Sequence, residues 1–138
     1  MKLILTNANI KDADFVFNLK GSKEVRQFSI NKKKVNYKNH TNWFKKKIKE
    51  KKSKFYIVKE RKNISKIGYV RFDYKDFYYR VTIAIIKSKT GKNLSSKILK
   101  KAESKLKSNS LLISQVILQN IKSMKLFQRL KYKNIAIN

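Results

Sequence analysis

The chain has 138 residues and carries 36 Lys and Arg against 8 Asp and Glu, a formal net charge of +28, yet 41% of it is apolar and 12% aromatic. That apolar share excludes a disordered polyelectrolyte, and the length suits one domain, residues 1–138, with a core of its own. The absence of cysteine excludes disulfides, thiolate metal sites and a cysteine nucleophile.

The basic set is 31 Lys against 5 Arg in a chain rich in Asn and Ile, the pattern of a coding sequence biased toward A and T. Arg, not Lys, is the residue favoured for bidentate reading of bases and phosphates, so most of these lysines read as solvated surface. The opening MKLILTNANI has an apolar run too short for a signal-peptide core. No later segment approaches the roughly 18 apolar residues of a membrane span. The expectation is a soluble, cytoplasmic protein with no membrane partner, monomeric or homodimeric.

In chain order, Leu3 to Leu5 reads as a first strand and Asp12 to Lys20, with Phe15, Val16 and Leu19 at helical spacing, as a first helix. Residues 21–40 are polar with isolated apolar anchors and read as loop with a helical turn at most. Thr41 or Asn42 is expected to cap a second helix through about Lys51, with Trp43, Phe44 and Ile48 inward and Lys45, Lys46, Lys47 and Lys49 outward or flanking. The period then changes. Phe55 to Lys59, Ile67 to Asp73 and Tyr78 to Ile86 form an antiparallel meander through the polar turns KERKNISK and YKDF. Leu94, Ile98, Leu99, Ala102 and Leu106 line one side of a helix whose wet side holds Lys97, Lys100, Lys101, Lys105 and Lys107. A strand at Leu111 to Leu118, a helix at Ile121 to Leu130 and a strand at Tyr132 to Ile137 close the chain.

Three stretches carry a family resemblance. TGKNLSSKIL is similar to the acetyl-CoA signature of the GNAT N-acetyltransferases, matched at Gly91, Lys92, Leu94, Ser96, Lys97 and Leu99. Thr90 stands where Gln or Arg is usual, and Asn93 and Ser95 stand where glycines are. Asn tolerates the left-handed conformation best among non-glycine residues, and Ser is small enough for a phosphate to approach. In ISQVILQNIKSMKLFQRLKY, Val116, Asn120, Ser123, Phe127 and Tyr132 fall at the positions of the family's closing segment, with Lys131 in place of its glycine. Finally, His40, Trp43, Phe44, Gly68, Tyr69, Val70 and Arg71 resemble the branch that acetylates amino groups of nucleotide-linked sugars, as in pseudaminic acid biosynthesis.

The resemblance implies the α/β GNAT fold: a mixed central sheet of about six to seven strands with an antiparallel N-terminal meander, flanked by about four helices. It implies acetyl-CoA as co-substrate and direct transfer to a primary amine, most simply of an anionic nucleotide sugar. The expected acetyl-CoA site comprises Ile85, Thr90, Gly91, Lys92, Asn93, Leu94, Ser95, Ser96, Asn120 and Phe127. Main-chain donors at a helix start would hold the pyrophosphate, and an N–H near Ile85 would face the oxyanion where the fourth and fifth strands splay. Trp43, Tyr69, Arg71 and Arg80 are the acceptor-side candidates. The resemblance puts Arg80 where many relatives carry Glu and Phe127 where they carry Tyr. His40, Asp73 and Ser123 are then the acid–base candidates, each with an ordinary structural role as the alternative. Two other readings stand beside this one: acetylation of ribosomal-protein or other peptide amines, and a non-catalytic GNAT-like module that binds RNA or another polyanion.

Overall fold

The structure is a computed structural model, described over residues 2–26, 35–90, 93–108 and 110–113. Its first element, β1 (Leu3–Asn7), runs two residues beyond the expected strand. A single 3-10 turn (Ile10–Asp12) follows, held by a capping box in which Asn9 Oδ1 accepts from the Lys11 amide and Asp12 Oδ2 accepts from the Asn9 amide, each at 2.9 Å. It feeds α1 (Ala13–Lys20). A short α2 (Lys23–Arg26) is the helical turn expected in the basic loop.

The next helix, α3 (Tyr37–Lys47), differs from the expectation of a helix from Thr41 or Asn42 to Lys51. Its cap is Asn36, whose side chain accepts from the Asn39 amide at 2.8 Å, so helix begins four residues before Thr41. Asn36, Asn39, Thr41 and Asn42 are all capping types, and local propensity cannot choose among them. Tertiary contact chooses: His40 and Phe44, one helical turn apart, both point into the core. The start at Asn36 places His40 inside a helix rather than in a loop.

The meander is β2 (Lys54–Glu60), β3 (Lys66–Lys75) and β4 (Tyr78–Ile85), each within a few residues of its expected bounds. A 3-10 turn (Lys87–Lys89) leads toward α4 (Leu94–Glu103), and β5 (Leu112–Ile113) is the described start of the strand expected at Leu111 to Leu118. Among the described residues the strands form one sheet in the order β1-β2-β3-β4-β5, antiparallel except for the parallel β4–β5 pair. The helix at Ile121 to Leu130 and the strand at Tyr132 to Ile137 lie outside the described residues.

Both faces of this sheet are covered, which is why β2 reads as a nearly continuous apolar run and not as an alternation. One face carries Tyr56, Val58, Val70, Phe72 and Val81, packed against Leu94, Ile98, Leu99 and Ala102 of α4. The other carries Phe55, Ile57, Tyr69 and Ala84 against Ala13, Val16 and Leu19 of α1 and Phe44 of α3. Each fully buried Leu, Ile or Phe side chain contributes about 1.5–3 kcal/mol. Two α/β layers thus share one sheet, and the polar residues on the α1–α3 face stand out against an otherwise apolar interior. Among the described residues, no helix is long and apolar enough to cross a membrane.

Candidate active site

On the α1–α3 face, β3 and β4 present a charged row. Arg71 and Asp73 share that face because they stand two residues apart on one strand, and the hairpin register puts Arg80 opposite Asp73 and Thr82 opposite Arg71. Asp73 is 2% exposed. Its Oδ2 accepts from Arg71 Nε at 3.0 Å, its Oδ1 lies 3.2 Å from Lys47 Nζ, and an Arg80 Nη2 stands 3.9 Å from Oδ2. A second Arg71 donor reaches Thr82 Oγ1 at 3.4 Å. The carboxylate is therefore the hub of a cationic cluster. Lys47, expected outward or flanking on its helix, reaches inward to this hub and also pairs with Glu50 at 2.8 Å.

Trp43 lies beside the cluster. The Arg71 guanidinium stands 4.9 Å from its ring centroid and the Lys20 ammonium 4.1 Å, both close enough for cation–π attraction. Burial of Lys20, and secondarily the charge of Arg71, hold the Lys20 pKa below its ordinary value. Tyr69, the other aromatic expected at the acceptor, is 2% exposed and packs its ring 5.7 Å from that of Phe55. A ring buried that far offers no open face for stacking on a substrate, so Tyr69 is a core residue.

His40 is 1% exposed, surrounded by the rings of Phe17, Trp43 and Phe44 at 5.2 to 5.8 Å. Its Nε2 is 3.0 Å from the Ala13 carbonyl oxygen, which only accepts, so Nε2 carries the proton. Nδ1 is buried and has no hydrogen-bond partner among the described residues. Burial pushes the His40 pKa down. The geometry is that of a neutral imidazole pinning α3 to α1.

A pH dependence follows. The native state resists protonating His40 while the unfolded chain takes up the proton at about pH 6.5. The stabilisation is therefore whole above about 6.5 and is lost as pH falls below it. The melting temperature should drop as pH falls below about 6.5, at no more than about 1.4 kcal/mol per pH unit for one proton. His40 is the only histidine, so His40→Gln should flatten that slope. An unchanged slope in the variant would refute the assignment.

The expected acetyl-CoA side lies on the other flank of β4. Ile86 N–H donates to Ile67 O at 2.9 Å, so by the alternation of an antiparallel ladder the Ile85 N–H points away from β3, toward the side on which β5 lies. Tyr79 N–H, of the same parity, donates to Leu111 O at 2.8 Å on that side. The described β4–β5 pairing comprises Tyr79 with Leu112 and Arg80 with Ile113, so Ile85 lies beyond its end. Downstream, Asn93 takes the left-handed conformation, φ 57 and ψ 19, and opens α4 without a side-chain cap. The first turn of α4 contains no acidic residue, and the Leu94, Ser95 and Ser96 amides precede the first intrahelical bond. Leu94 turns its side chain into the core, leaving its backbone for any ligand. Thr90 is exposed, and its hydroxyl donates to Lys87 O at 2.8 Å. Gly91, Lys92, Asn120, Ser123 and Phe127 lie outside the described residues. Among the described residues, no group of His, Asp and Glu could hold a metal ion.

Solved structures share this fold. A domain from Methanocaldococcus jannaschii superposes with a TM-score of 0.84 at 19% identity, covering 99% of this chain and 92% of that one. The spermidine N-acetyltransferase from Vibrio cholerae in complex with CoA and spermine gives 0.78 at 17% identity, covering 92% and 78%. An N-acetyltransferase from Staphylococcus aureus gives 0.76 at 19%, covering 99% and 86%. The chain has the GNAT fold. No protein-family profile matches the sequence, and no curated protein matches it.

Within this GNAT fold, sequence reasoning found Trp43, Arg71, Asp73 and Arg80 separately, and the structure brings all four together. It missed Lys20, Lys47 and Thr82. Thr82 was within reach: the YKDF turn pairs Lys75 with Tyr78, and counting back from there sets Arg71 against Thr82. Lys20 and Lys47 lie on helices whose approach to the sheet no local pattern encodes.

Proposed function

We propose that the protein is an acetyl-CoA-dependent N-acetyltransferase acting on a primary amine, with a nucleotide-activated amino sugar as the favoured acceptor. The observation that carries this is the uncapped start of α4 behind left-handed Asn93, in a fold that in the Vibrio cholerae enzyme is seen with CoA. Bound acetyl-CoA would supply a thioester open to direct attack, so no acyl-enzyme is needed and the absence of cysteine is no obstacle. The Leu94, Ser95 and Ser96 amides and the positive end of the helix dipole would receive its pyrophosphate, with Gly91 and Lys92 completing the loop. The Ile85 N–H, directed away from β3, would donate to the carbonyl oxygen as it gains charge. Asp73 is engaged by Arg71 and Lys47, and His40 by the Ala13 carbonyl, which supports a rate that comes chiefly from positioning. The family resemblance would assign Asn120 and Phe127 to the CoA side and Ser123 to the leaving thiolate.

For the acceptor, Arg71, Arg80 and Lys20 favour an anion and oppose a polycation. That separates this site from the spermine-bound neighbour despite the common fold. A polyamine would meet like charge where an anionic sugar nucleotide meets attraction.

Saturating acetyl-CoA should raise the melting temperature by several degrees, because a ligand at 100 times its dissociation constant adds about 2.7 kcal/mol. An unmoved transition would overturn the reading. Mass spectrometry across nucleotide-linked amino sugars, N-terminal peptides and polyamines should find the acetyl group on the first class. Transfer to peptides instead would replace the sugar by the peptide acceptor.

One other feature favours a second reading. A groove of about 530 Å³ between β1 and the end of α4 is lined by Lys2, Arg61, Lys101 and Lys105 with no acidic residue, as a polyanion binder would need. Steep loss of RNA binding with added salt, without any response to acetyl-CoA, would favour that reading.

A further inference from the structure

Lys20 is a half-buried cation at the C-terminal end of α1. Among the described residues no carboxylate lies within ion-pair distance of it, and its ammonium sits 4.1 Å from the centroid of the Trp43 ring. A partly desolvated charge is costly unless an opposite charge meets it. The nearby carboxylate, Asp73, is already shared by Lys47, Arg71 and Arg80, and Glu50 answers only Lys47. Three of the four cations, Lys47, Arg71 and Arg80, share these two carboxylates while Lys20 meets neither, so the cluster is left two positive charges in surplus. Arg80 holds Asp73 loosely, at 3.9 Å, and makes no side-chain hydrogen bond among the described residues, so its planar fork has donors to spare.

We infer that Lys20, with Arg71 and Arg80, receives a doubly charged diphosphate group of the acceptor beside Trp43. This deepens the proposed reading and rests on it for the word acceptor. The diphosphate is favoured over a lone carboxylate because it matches the surplus of two charges and offers paired oxygens to an arginine fork. Lys20 is thus a specificity and positioning residue. The positive charge of Arg71 beside Lys20 favours an incoming anion.

Trp43 is the only tryptophan in the chain, so its fluorescence reads this pocket without any enzymatic step. Titration of the full-length protein with inorganic pyrophosphate at physiological salt should change the Trp43 emission saturably. Lys20→Met should weaken that response by about tenfold, the value of one charge-assisted hydrogen bond, and Lys20→Arg should retain most of it. Lys100→Met, on the exposed side of α4, should leave it unchanged. Acetate should bind far more weakly than pyrophosphate. Absence of a response, equal weakening by Lys20→Met and Lys100→Met, or equal affinity for acetate would each overturn the assignment. The titration contains no acetyl-CoA. Pyrophosphate binding without an acetyl-CoA thermal shift would defeat acetyl transfer and leave the anion pocket standing; the converse would defeat the pocket alone.

Discussion

Asp73→Ala should destabilise the fold by about 3–5 kcal/mol, a large share of the total stability of a domain this size. The reason is the company the carboxylate keeps. Arg71 and Lys47 have side chains only 11% and 12% exposed, and without Asp73 their charges would face one another with little water between them. Breaking a buried ion pair from one side costs more than the pair itself is worth, because the surviving charge has lost both its hydration and its partner. Urea denaturation measures the loss directly, and the double variant Asp73→Ala/Arg71→Leu separates charge from packing. If repulsion dominates, the second substitution recovers part of the loss; if the loss is a packing defect, the two effects add. A loss below about 1 kcal/mol in the single variant would show that water, not Asp73, balances these cations.

Gly68→Ala should be nearly as severe, for a steric reason. A Cβ built on Gly68 would lie 2.4 Å from the Ala84 carbonyl oxygen and 3.3 Å from Ile85 Cα. The obstructing atoms are backbone in the neighbouring strand, so no side chain can swing aside. β3 and β4 must separate instead. The expected cost is at or above the upper end of the roughly 1–3 kcal/mol typical of overpacking. The strain falls where β4 presents Ile85, so the thermal shift with acetyl-CoA should shrink with the stability. Gly21→Ala is the contrast: φ there is −84, which any residue adopts, and the nearest obstruction is 3.2 Å away, so its cost should be much smaller. Equal stability loss in the two variants would defeat this explanation.

The meander was legible because its signals are local. Runs such as KFYIVKE and KIGYVRFDYK are apolar and β-branched or aromatic, and the turns between them are polar. The same runs imply a sheet covered on both sides, since Phe55, Tyr56, Ile57 and Val58 are all buried. The amphipathic face of α4 was equally plain: Leu94, Ile98, Leu99 and Ala102 are buried, and Lys97, Lys100 and Lys101 are exposed. The left-handed Asn93 was anticipated from the chemistry of its side chain. The start of α3 was not legible, since four residues could have served as cap and only packing against α1 distinguishes them.

For the candidate site the division is sharper. The sequence alone determines that Arg71 and Asp73 share a face, that the short β3–β4 turn sets Arg80 against Asp73, and that a helix opens at Asn93, because each is a matter of spacing within or between adjacent elements. Only the tertiary structure decides that Lys20 and Lys47 come from two separate helices to the same spot, that Asp73 serves its neighbours, and that His40 and Tyr69 are interior. A backbone period records which way a side chain points along its own element. Which charges meet depends on how helices lie across the sheet, and that is set by the sum of many weak apolar contacts distributed over the whole chain.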